Sequence, residues 1–210
     1  NRIPILKIGI PPMFSTIFFP EVINAFELHH PDIQIELDEF GSVRACNLVQ
    51  EEKLGLAIVN MEQFNIDKFE SRVLAKEQLV YVVSKNHPMS GKKYMTIEDF
   101  KDEKLVMFNV DSVQNELLKN RFDGLNISPH IIMRSSQLYT TLKFVDKGNC
   151  GCFLFSDMLP HFREYVGIPL KPSIDVKIGI IWKKENFLSH SAQLFIDFAM
   201  QYCSEKIITP

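Results

Sequence analysis

Leu6-Lys7-Ile8-Gly9-Ile10-Pro11-Pro12 decides how the rest is read. Leu6, Ile8 and Ile10 alternate with Lys7 and Gly9 at the two-residue period of a strand, and neither proline can donate a backbone N–H to prolong the ladder. A strand-to-helix loop must follow. Phe18, Phe19, Val22, Ile23 and Phe26 then recur at helical spacing, which predicts a helix capped by Ser15 or Thr16 and ending near His30-Pro31. Ile33, Ile35 and Leu37 alternate with Gln34, Glu36 and Asp38, as in a strand with one wet face. Gly41-Ser42 turns the chain into a second helix over residues 43–53, and Leu56-Ala57-Ile58-Val59 has the unbroken apolar character of a buried parallel strand. Strand, helix, strand, helix, strand is the order of a parallel sheet covered by helices and wound with right-handed crossovers.

Working outward, Leu79 to Val83 reads as another strand, and the polar stretch from Ser84 to Lys93 reads as a crossing into a second lobe. Thr96 and Asp99 have capping-box spacing, Leu105 to Phe108 is a buried strand, and Asp111 or Ser112 can cap a helix reaching Phe122. Ile131 to Met133 is a further strand. Ser136 then caps a helix with apolar Leu138, Leu142 and Val145 that stops at Gly148. Cys152 to Phe155 closes the second sheet, Pro160, Gly167, Pro169 and Pro172 punctuate the return, and Val176 to Trp182 is a last strand. Leu194, Phe195, Phe198 and Tyr202 mark the buried face of a final helix. The expected fold is α/β: two Rossmann-like lobes with mostly parallel sheets, joined by a two-strand hinge. Lobe I takes 1–83 and 165–210, and lobe II takes 84–164. The crevice between such lobes is the expected ligand site.

A chain of 210 residues, 46% of them hydrophobic, is long enough to bury two cores of this size. Its formal charge of −3 offers no general cationic surface for phosphates or anionic lipid. No apolar run approaches the roughly 20 residues that cross a bilayer, so no membrane partner is expected. Cysteines at 46, 150, 152 and 203 form no regular framework, which points to a reducing, cytoplasmic setting. Cys150 and Cys152 share one strand face, as small apolar core residues or as a redox or metal pair. The missing initiator Met suggests that an upstream segment was removed.

Several stretches resemble the effector-binding domain of LysR-type transcription regulators. They are residues 6–12, Pro20 and Phe26, Pro31 with Ile33, Ile35 and Leu37, Gly41-Ser42, Leu54-Gly55-Leu56-Ala57-Ile58-Val59, and Val145-Asp146-Lys147-Gly148 leading to Leu154-Phe155. The resemblance covers nearly the whole chain and is densest in its first sixty residues. It implies a type 2 periplasmic-binding-protein fold, a homodimer or homotetramer, and DNA contact only through a winged helix-turn-helix domain preceding Asn1. It further implies a small-molecule effector, a carboxylate among the candidates, held by Pro12, Met13, Phe14, Ser15, Thr16, Ser42, Asn60, Ser136 and Phe155. Ser15, Thr16, Ser42 and Ser136 also have a plainer role open to them, as helix caps. Arg44 and Arg134 lie near the expected rim, where they either pair with an anion or stay solvated. Met13 stands where the family often has Ser or Thr, and Phe155 where it often has Pro, which implies a more apolar pocket.

Nothing in the sequence supplies chemistry. There is no Gly-x-Ser-x-Gly elbow, no phosphate loop and no Gly-x-Gly-x-x-Gly fingerprint. His29-His30 is the one close histidine pair, and adjacent side chains on a helix splay apart. No catalytic residue, metal or cofactor is expected. The alternatives sharing the fold are a transporter's solute-binding protein and a deaminase or dehydratase on the same scaffold.

Overall fold

The computed structural model describes residues 4–62, 66–185 and 187–208, apart from the side chains of Ile17 and 205–208. The opening Asn1-Arg2-Ile3 of the expected first lobe lies outside the described residues. The chain divides into two compact units, the first running to Lys76 and resuming at Lys177, the second spanning Glu77–Val176.

In the first unit, β1 (Ile5–Ile10) lies between β2 (Gln34–Glu39) and β3 (Leu56–Asn60), all parallel, and β9 (Asp175–Lys183) runs antiparallel to β3. Ile8 faces Leu37 on one side and Leu56 on the other. Flanked on both edges, Ile8 and Ile10 are fully buried, as is every residue of β3. Helix α2 (Phe19–His29) sinks Phe19, Val22 and Phe26. Phe26 meets Phe195 of α6 (His190–Ile208) edge-to-face at 5.3 Å, an arrangement that adds to simple area burial. Helix α3 (Ser42–Gln50) packs Ala45, Cys46 and Val49 against Leu54, Ala57, Val59 and Ile181.

The single helix expected from Ser15 to His30 is instead two. Helix α1 covers Pro12–Ile17, and α2 follows after Phe18. Pro11 holds an extended backbone as the N-cap and Pro12 occupies the first turn, where a missing N–H costs nothing. Ser15 and Thr16 are therefore inside α1 and cap nothing; both hydroxyls turn back to the Pro12 carbonyl, at 2.7 and 3.2 Å. Pro20 enforces the break, because it cannot donate the hydrogen bond that would continue α1 into α2.

In the second unit, β5 (Lys104–Met107) is parallel to β6 (His130–Arg134) and to β7 (Cys150–Phe155). The latter half of β4 (Phe69–Ser84) runs antiparallel to β7 and to β8 (Tyr165–Pro169). The sequence reading missed β8, since Gly167 and Pro169 look like punctuation; proline is tolerated at a strand end on a sheet edge. The expected second lobe, 84–164, falls wholly inside this unit, which extends to 77 and 176. It does so because Leu79 to Ser84 pairs with β7 and β8 and cannot be parted from them. The chain leaves the first unit along β4 and re-enters it along β9. Helix α4 (Val113–Gly124) is capped by Ser112 as expected, its hydroxyl accepting from the Asn115 N–H. Helix α5 (Leu138–Lys147) stops at Gly148, but its N-cap is Gln137, not Ser136.

Tyr81, Phe100, Phe122 and Phe153 form the aromatic centre of this unit, with Tyr81 and Phe100 perpendicular at 4.8 Å. Gly151 is required there: a Cβ at that position would lie 2.3 Å from the Tyr81 ring. Cys150 and Cys152 on β7 are buried, as are Cys46 and Cys203 elsewhere in the chain, and none of the four is in a disulfide. Burial pushes the thiols of Cys150 and Cys152 upward and that of Cys46 to about 12, so none is poised as a thiolate.

Candidate functional site

The parallel strands of the first unit direct their carboxyl ends to one edge, and that is where its candidate residues fall. Helix α1 follows β1, so Pro12, Met13, Phe14, Ser15 and Thr16 begin at this edge. Met13 and Phe14 are buried, Pro12 and Ser15 partly so, and Thr16 is exposed. Glu39 ends β2, and its Oε1 accepts from the Ser15 hydroxyl at 2.6 Å. Nothing in the alternating pattern of β2 singled out Glu39 as a partner.

Ser42 opens α3 and Asn60 ends β3. The Asn60 backbone N–H donates to Ser42 Oγ at 3.0 Å, locking the helix start to the strand end. Ser42 is thus a tether, not a cap; the N-cap of α3 is Gly41, which has no side chain to offer the first amides. Both residues are buried, at 1% and 0% exposure. Asn60 Oδ1 accepts from the Glu62 N–H at 3.0 Å, while its Nδ2 has no hydrogen-bond partner among the described residues. An amide N–H₂ left dry and unpaired costs on the order of 1–3 kcal/mol. Ser42 spends a lone pair on the Asn60 amide and keeps its own proton to donate. This corner therefore offers donors: a buried side-chain amide, a buried hydroxyl and the leading N–H groups of a nine-residue helix. Arg44 lies over the Phe40 ring at 4.8 Å and is exposed.

In the second unit the candidates again follow the strand ends, but they are satisfied or apolar. Ser136, after β6, is exposed, and its Oγ accepts from Asn109 Nδ2 at 3.2 Å. The neighbouring Ser135 accepts from the Gln137 N–H at 3.0 Å, just ahead of α5. Arg134 donates to Asn115 Oδ1 at 2.7 Å and to the Phe108 carbonyl. Phe155 ends β7 fully buried, in register with Leu79. Asn109 and Asn115 were not foreseen, although Asn109 sits just past a strand end, which is the signal that finds such residues.

With this geometry in place, comparison with known proteins places the chain. The family model described as the LysR substrate binding domain matches residues 4–204. The chain belongs to the LysR substrate-binding domain family. An HTH-type transcriptional regulator of Bacillus subtilis, YwbI, is 27% identical over 201 residues, covering 94% of this LysR domain and 66% of the relative. The transcriptional dual regulator GltC of the same organism is 24% identical over 205 residues, covering 95% of the domain and 68% of the relative. The domain thus spans about two thirds of the length of these relatives. The effector-binding domain of QuiR in complex with shikimate has the same fold, with a TM-score of 0.82, 22% identity, and coverage of 97% of this chain and 99% of that one. The Synechocystis CcmR regulatory domain in complex with 2-PG superposes with a TM-score of 0.85 at 18% identity, covering 95% and 97% of the two chains. The LysR domain therefore has the α/β periplasmic-binding-protein-like fold of these neighbours.

Proposed function

We propose that this LysR domain is the effector-sensing and oligomerisation part of a cytoplasmic transcription regulator, and that it binds a small carboxylate without transforming it. The observation that carries the reading is Asn60 Nδ2, a buried donor without a partner among the described residues, beside the Ser42 hydroxyl and the start of α3. A protein retains such a cost where a ligand oxygen relieves it. Pro12 to Thr16 form the adjoining wall, where Met13 and Phe14 bring apolar surface. The relatives named above are regulators, which supports sensing over turnover.

DNA contact in this reading belongs to a winged helix-turn-helix outside the 210 residues, and the domain assembles as a homodimer or homotetramer. Two open sheet edges favour self-association. β2 exposes Leu37 and β6 exposes Ile132, with Leu28 on α2 and Tyr139 and Phe144 on α5 nearby in sequence and also exposed. An effector that binds one arrangement of subunits better shifts the population toward it, and a coupling of about 1–3 kcal/mol suffices.

A thermal-shift screen of small carboxylates against their neutral amides tests the proposal. A carboxylate effector at 100 times its dissociation constant stabilises the domain by roughly 2.7 kcal/mol. Stabilisation by amides and carboxylates alike, or conversion of a bound compound to product, overturns it.

A further inference from the structure

We propose a second small-molecule site, confined to the second unit, that takes a small apolar monocarboxylate. A groove of about 310 Å³ opens between Ile97 and Glu98, the end of α4 at Asn120, Arg121, Gly124 and Leu125, and the turn at Lys171 and Pro172. That volume sits at the lower end of the range for small-ligand pockets, roughly 300–1,000 Å³. Ile97, Leu125 and Pro172 give it an apolar floor, and Leu125 stays 48% exposed despite its size.

Two cations and one carboxylate, Arg121, Lys171 and Glu98, stand on the rim, a net charge of +1. Neither cation is ion-paired among the described residues. Both are held in place by contacts that leave their charge uncompensated. Arg121 donates one Nη2 bond to the Ser173 carbonyl at 3.0 Å, and the Lys171 ammonium rests over the Tyr94 ring at 4.8 Å. The C-terminal end of α4 would ordinarily repel an anion. Here its carbonyls at Phe122 and Asp123 are already covered, by the amides of Leu125, Ile127 and Asn126 at 3.0–3.2 Å. A pre-placed guanidinium and ammonium above an apolar floor fit one carboxylate carrying a compact hydrocarbon group, and the neutral analogue forfeits the charge-assisted bonds.

Titration of the full 210-residue chain with 3-phenylpropanoate, followed by amide chemical shifts, tests this inference, with 3-phenylpropanamide as the uncharged probe. The expected result is saturable shifts at Ile97, Gly124 and Leu125, with the amide binding about tenfold more weakly, the loss of one charged contact. Lys171→Gln, an exposed change that leaves Arg121 on Ser173, should weaken the carboxylate by a similar factor. No saturable shift at these amides, or equal binding of the two probes, overturns the second site. Shifts confined to Ser42 and Asn60 also overturn it, while leaving the proposed effector site standing.

Discussion

Asn60 and Tyr81 are both fully buried polar residues on strands, one in each unit, and their surroundings differ in kind. The Tyr81 hydroxyl donates to Glu103 Oε2 at 2.7 Å, and His87 Nε2 lies 3.5 Å from the same oxygen. His87 Nδ1 accepts from the Met89 N–H, so in the neutral ring the proton sits on Nε2, facing the carboxylate. The phenol, the imidazole and Glu103 Oε2 thus partner one another. Burial and Glu103 together push the Tyr81 phenol far above its ordinary range, so it remains a donor at all working pH values. Asn60, by contrast, has its backbone N–H and its Oδ1 paired and its Nδ2 orphaned among the described residues. A closed network serves stability. An open one gives up stability and is kept where something else completes it.

The largest effect should come from disturbing the closed side. Gly151→Ala places a methyl 2.3–2.4 Å from two Tyr81 ring carbons and 2.5 Å from its hydroxyl oxygen, in a packed interior. Overpacking of this kind costs about 1–3 kcal/mol, and the upper end is expected because the ring is pinned by Phe100, Phe153 and Glu103. Urea denaturation reads it directly. A loss under about 0.5 kcal/mol, the range of harmless surface changes, would mean that the cluster is looser than its geometry. Tyr81→Phe comes next. It removes one hydrogen bond to a carboxylate and leaves the ring, so a loss of about 1.5–3 kcal/mol is expected. A neutral outcome would erase the distinction between closed and open networks.

Glu77 sharpens the comparison with a smaller effect. Its Oε2 is also buried and unpartnered among the described residues, but a carboxyl can take up a proton where an amide cannot. Burial, then the charge of Asp157, raises it from 4.5 to about 7. The folded state therefore holds this proton after the unfolded chain has lost it. Its contribution to stability falls as pH rises from about 4.5 through about 7, and the full penalty stands above that. Glu77→Gln should flatten this slope and stabilise the domain at pH 8 relative to pH 5. A variant whose pH profile overlays the parent's would exclude the proton uptake.

The same contrast explains what could be read from the sequence. The β1 to β3 segments were legible because alternation and an unbroken apolar run are local signals of which face is wet. Helix α1 was misplaced by its caps: Ser15 and Thr16 look like capping residues, but Pro12 starts the helix without one. Strand β8 was hidden because pairing with β4 overrides the turn-like look of Gly167 and Pro169. At the site, Ser42 and Asn60 could be placed at a helix start and a strand end. That the two lock together, that Ser15 reaches Glu39 twenty-four residues away, and that Nδ2 finds no partner among the described residues depend on long-range placement, which no local pattern carries.

Asn60→Leu is the most direct measurement, read for stability and for binding of whichever carboxylate shifts the parent's melting point. The substitution removes an unpaired donor along with one acceptor, so stability should change by no more than about 1 kcal/mol. The carboxylate's thermal shift should vanish. A variant that keeps the full ligand shift, or one that loses several kcal/mol as a closed network would, contradicts the assignment of Asn60 to the effector site.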